Sequence, residues 1–69
     1  MIKCKFQYMY NSGAASDSNI LEINVNVPPR IDEILFINDG PKSKVVDIIH
    51  EISTASGEHI TTVQYKQID

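Results

Sequence analysis

The chain opens on strict alternation. Ile2, Cys4, Phe6, Tyr8 and Tyr10 fall on one side of an extended backbone, with Lys3, Lys5 and Gln7 on the other. A period of two marks a half-buried strand, and Ile, Phe and Tyr suit its pleated surface. Residues 11–19, NSGAASDSN, are small, polar and aperiodic, which predicts a loop. Alternation resumes in LEINVNV, with Leu21, Ile23, Val25 and Val27 inward and Glu22, Asn24 and Asn26 outward. Two alternating runs joined by a polar connector predict a long hairpin.

Pro28 and Pro29 end the second strand, since proline has no amide hydrogen for a ladder and holds its predecessor extended. PPRIDE, residues 28–33, therefore reads as a stiff, exposed connector. ILFI, residues 34–37, is an apolar run of strand length, expected to be buried on both sides or to lie at a barrel closure. NDG at 38–40 signals a turn, with Gly40 able to take positive φ. Near the end, Gly57 marks another turn, and HITTVQYKQI is rich in residues that favour a strand.

KVVDIIHEI, residues 44–52, is the ambiguous segment. At helical spacing, Val45, Val46, Ile48, Ile49 and Ile52 cluster within an arc of about 160°. Pro41 and Gly57 stand where a helix would start and stop. Against this, five of the nine residues are β-branched, which costs each a few tenths of a kcal/mol or more in a helix. The neighbouring segments are also strand-like. A β-bulge would let consecutive residues such as Val45-Val46 or Ile48-Ile49 both meet apolar surroundings. The expected fold is thus all-β, a small five-stranded antiparallel SH3-like barrel spanning 1–69 as one domain. The alternative is α+β, with a helix at about 42–55 packed on a β-sheet.

Composition narrows the function classes. Sixty-nine residues bury a thin core, and the single cysteine, Cys4, excludes an internal disulfide. A lone thiol fits a reducing compartment, so a cytoplasmic location is expected. No apolar run approaches bilayer-spanning length, and the alternating N-terminus is unlike a signal peptide. Nine carboxylates against six dispersed basic groups give a net charge of −3, which disfavours duplex nucleic acid as a partner.

The alternating strands, the proline-led P-R-x-x-E of Pro29, Arg30 and Glu33, and the run Lys44 through Ile52 before a final strand resemble a loose group of small phage and prophage proteins. The chain carries Ser43 where members usually have an aromatic residue. The resemblance implies an SH3-like barrel with no catalytic residues. It also implies a phage-encoded accessory protein that binds and inhibits or redirects a host protein, such as a defence factor.

No catalytic motif is present. Three dispersed glycines cannot cradle a phosphate, and no G-x-S-x-G occurs. Cys4 sits on an apolar strand face, where a free thiol acts as a small hydrophobe. His50 and His59 lack any zinc-ligand spacing, although a hairpin turning about Thr54 and Ala55 would set them opposite each other. The reading is therefore not an enzyme, with no cofactor and no metal. The aromatic and lysine side chains of the first strand lie on opposite faces, unlike a single-strand stacking platform. Protein binding asks least of the sequence. Its expected surface comprises Tyr8, Met9, Tyr10 and Asp17 around the first loop, Arg30, Asp32 and Glu33 in the connector, and Asp47 and Glu51 as part of an acidic face. A homo-oligomer would supplement the thin core. The competing classes are a small-molecule or nucleotide-binding oligomer and a minor virion component.

Overall fold

The computed structural model describes residues 2–10, 12–16 and 20–68. Strands β1 (Ile2–Tyr8), β2 (Leu21–Val25), β3 (Ile34–Leu35), β4 (Ser43–Ile52) and β5 (His59–Gln67) form one sheet in the order β2-β1-β5-β4-β3. The sheet is curled into a half barrel, consistent with a small β-barrel fold. The described residues contain no helix, so the α+β alternative falls: 43–52 is one long strand. None of them, accordingly, forms a helix long and apolar enough to cross a membrane.

Three pairings are antiparallel, and the fourth, β1 with β5, is parallel. Parallel neighbours need a long crossover, and here almost the whole chain between β1 and β5 supplies it. The last strand thus slots between β1 and β4 instead of closing an antiparallel meander. As the central strand it is covered on both faces: Thr61, Thr62, Val63 and Gln64 are buried in succession.

The inner face carries the core. Cys4, Phe6, Val45 and Val63 are buried, with Ile2, Leu21, Val25, Leu35, Ile37, Ile48 and Tyr65 packed around them. Register explains the assembly: Phe6 lies beside Leu21 on one side and Val63 on the other, and Val63 lies beside Ile48. The β4 ladder shifts between Val45 and Asp47, leaving Val46 as the extra residue of a bulge. Val45 is thereby buried while its neighbour Val46 is half-buried, which straight alternation forbids. Helical spacing in KVVDIIHEI reflects this bulge.

Three local expectations change. Val27 and Ile23, expected inward, are 79% and 46% exposed, because the ladder with β1 ends at Val25 and Ile23 lies on the strand at the end of the sheet. The ILFI run is not buried on both sides: only Ile34 and Leu35 pair, at the opposite end, and Phe36 is 65% exposed. The NDG turn takes positive φ at Asn38 (53°) and Asp39 (57°), not at Gly40, as a type I′ turn requires of its central residues. Gly40 is needed for space, since a Cβ there would lie 2.8 Å from the Ile37 carbonyl oxygen.

Candidate binding surface

The connector between β2 and β3 builds a concave stretch of the surface. Val27, Pro28, Pro29, Arg30, Glu33, Ile34 and Leu35 line a groove of ≈ 540 Å³. Its shape follows from a tight turn. The Arg30 amide donates to the Glu33 carboxylate, and the Glu33 amide donates back to the Arg30 carbonyl at 3.1 Å. Asp32 completes the turn at a φ of 73°, a conformation that Asp tolerates better than most residues. The turn is then clamped to the bulged strand: the Asp32 amide donates to the Val45 carbonyl, and the Val45 amide donates to the Glu33 carbonyl. Lys44 Nζ lies 3.3 Å from the Asp32 carboxylate. The backbone is therefore held while its side chains face water. Val27, Ile31, Ile34 and Phe36 are all exposed large hydrophobics.

Tyr8, Met9 and Tyr10 form a second location. Tyr8 meets Tyr10 and Tyr65 edge to face, with centroids 5.5 and 5.7 Å apart. Burial, and then the neighbouring Tyr8, push the Tyr65 hydroxyl pKa upward. The Met9 amide donates to the Tyr65 carbonyl, and Met9 bridges to Ala15 across the first loop. A chain of amides ties that loop down: Gln64 Nε2 donates to Gln7 Oε1, and Gln7 Nε2 donates to the Ser16 carbonyl, both at 2.9 Å. Asp17 lies outside the described residues.

The acidic face divides. Asp47 turns its carboxylate onto the neighbouring Ile48 amide at 2.9 Å. Glu51 lines a smaller groove of ≈ 330 Å³ with Ile52, Ser53, Ser56, Glu58 and Ile60, at the β4–β5 turn. Asp32 and Glu33 instead belong to the connector. Of the expected surface residues, Arg30, Asp32 and Glu33 are brought together, and Tyr8, Met9 and Tyr10 form a separate group. The exposure of the connector's apolar side chains runs against the sequence pattern, which places Val27 inward and the ILFI run in a buried strand or at a barrel closure. Their signal was the Pro28-Pro29 pair, which ends the ladder and so leaves Val27 and Ile31 without a sheet face to pack into.

Cys4 is fully buried, and burial pushes its thiol pKa upward. The thiolate is the nucleophile, so Cys4 is expected to resist thiol reagents in the folded protein and to react on denaturation. The raised pKa also means that the folded state retains this proton longer than the unfolded state. Its contribution to stability is complete below the unfolded value of about 8.5 and is lost as pH rises through the higher folded value. A urea midpoint falling across that alkaline range is the expected measurement.

His50 and His59 are not opposite each other. The register sets Ile52 against His59 and His50 against Thr61, since the turn is centred beyond Thr54-Ala55. The rings nevertheless meet diagonally, with His50 Nδ1 2.9 Å from His59 Nε2. No family model matches the chain, and neither a curated protein nor a solved structure matches it.

Proposed function

We propose that the protein is a non-catalytic binding module that docks another protein on the 27–36 connector. One observation carries the reading: Val27, Ile31, Ile34 and Phe36 are exposed around a turn clamped at Asp32 and Glu33, while four apolar residues among those described are buried. Apolar groups presented on a held backbone bind without a large ordering cost. Arg30 and Glu33 rim the groove with opposite charges, which suits a partner with polar groups around an apolar centre.

The resemblance to small phage proteins makes that partner a host factor, which the protein would inhibit or redirect. Phe36→Asp and Ile31→Asp test the surface. Both positions are exposed, so stability should change by no more than about 0.5 kcal/mol. Affinity for a partner captured by the wild-type chain should fall by roughly thirtyfold if these are central contacts. A wild-type chain that retains no partner, or variants that bind it undiminished, would overturn the reading. A small-molecule ligand is the second reading, favoured by a groove volume within the usual range for such sites. It would raise the melting temperature of the isolated chain, which a docking surface alone does not do.

A further inference from the structure

We propose that His50 and His59 form a surface site for a late first-row divalent transition-metal ion, of the class Ni²⁺, Cu²⁺ or Zn²⁺. His50 projects from β4, and His59 and Thr61 project from β5, all on the same face of the sheet. The His50 Nδ1 and His59 Nε2 atoms are 2.9 Å apart, and the Thr61 hydroxyl oxygen lies 3.3 and 3.5 Å from them. Three lone-pair donors thus form a triangle with two imidazoles and one hydroxyl.

The dimensions suit an ion above that triangle. With metal–nitrogen bonds of about 2.0–2.1 Å, two ligands at right angles are about 2.9 Å apart, and two tetrahedral ligands about 3.3 Å. The triangle's edges fall close to these spans. In the absence of an ion, the 2.9 Å approach requires one ring to donate a proton to the other. An ion would replace that proton and engage both lone pairs. The two nitrogens are held on paired strands joined by the short 53–58 turn, which closes with the Ser53 amide on the Glu58 carbonyl and the Gly57 amide on the Ser53 carbonyl. Two ligands already in place lower the cost of binding, because the strands need not reorganise.

The donor set also states what is excluded. Among the described residues, no group of three or more His, Cys, Asp or Glu side chains converges. Imidazole nitrogen suits nickel, copper and zinc, whereas magnesium and calcium require oxygen donors, usually carboxylates. Both rings are exposed, so an ion has direct access and water completes its coordination.

Titration of the untagged chain with Zn²⁺, Ni²⁺ and Cu²⁺, followed by calorimetry and by the ring-proton resonances of the two histidines, tests the site. One ion per chain should bind, with both histidines responding together and no response to Mg²⁺. His50→Ala and His59→Ala should each weaken binding by at least about tenfold, no less than the loss of an outer-shell contact at the low end of its range. Circular dichroism should show both variants folded, since each side chain is exposed. An absence of binding by the wild-type chain overturns the proposal. So does binding that survives in the His50→Ala/His59→Ala double variant, or that perturbs only one ring.

Discussion

Replacing Phe6 with alanine is expected to remove a large part of the protein's stability, about 3–5 kcal/mol. Phe6 is 6% exposed and sits mid-row on the inner face, between Leu21 of β2 and Val63 of β5. Truncating a buried phenylalanine costs about 3–5 kcal/mol, from lost burial and from the cavity left behind. A 69-residue domain has a total stability of roughly 3–10 kcal/mol at typical per-residue values. Among the described residues, three other apolar side chains, Cys4, Val45 and Val63, are fully buried to share the load. One truncation therefore removes much of the margin. Urea denaturation followed by circular dichroism measures it. Phe6→Leu, which keeps most of the volume, should recover the greater part of the loss. A midpoint shift for Phe6→Ala worth less than about 1 kcal/mol would show that this face is not the core.

The second large effect lies on the opposite face. Gln7→Ala is expected to cost about 1–3 kcal/mol, although the side chain is only half-buried. The substitution removes the acceptor of the Gln64 amide, and Gln64 is only 8% exposed. Water cannot readily replace that acceptor, so the amide bears its desolvation cost uncompensated. The same substitution removes the donor to the Ser16 carbonyl, which helps to hold the first loop on the sheet. The Ser16 amide, bonded to the Tyr8 carbonyl at 2.9 Å, should then exchange with solvent more quickly. Gln7→Leu combined with Gln64→Leu removes both partners and should cost less than the sum of the single changes. Strict additivity would mean that the two amides do not act as a chain.

How far the molecule could be read from its sequence differs from segment to segment. Alternation in IKCKFQY and LEINV announced β1 and β2 because a side chain's face is set by local backbone geometry. The β-branched residues of KVVDIIHEI announced a strand for the same reason, and two adjacent valines suggested the bulge between Val45 and Asp47. The connector was legible as exposed chain from Pro28 and Pro29. Its groove was less so, since that depends on the Asp32 amide donating to Val45 and the Val45 amide donating to Glu33, more than ten positions apart in the chain. The ILFI run misled because apolar composition does not distinguish a central strand from one at the end of a sheet.

The histidines show the same division at the scale of single atoms. Their placement on neighbouring strands follows from a turn near Gly57. Whether they stand opposite, diagonal or on different faces depends on the number of residues in that turn, and a slip of one residue in one strand would turn its ring to the other face. The observed register places Ile52 against His59 and brings the two nitrogens together.

Local sequence thus sets the extended segments of β1, β2, β4 and β5, the breaks at Pro28-Pro29 and NDG, and the exclusion of an internal disulfide. These follow from sterics and periodicity within a few residues. Long-range packing sets the rest: β5 lies between β1 and β4 and runs parallel to β1, and register fixes which apolar side chains stay in water and which nitrogens meet. Those outcomes come from competition among distant segments for a core too small to bury every apolar residue in a chain of this length.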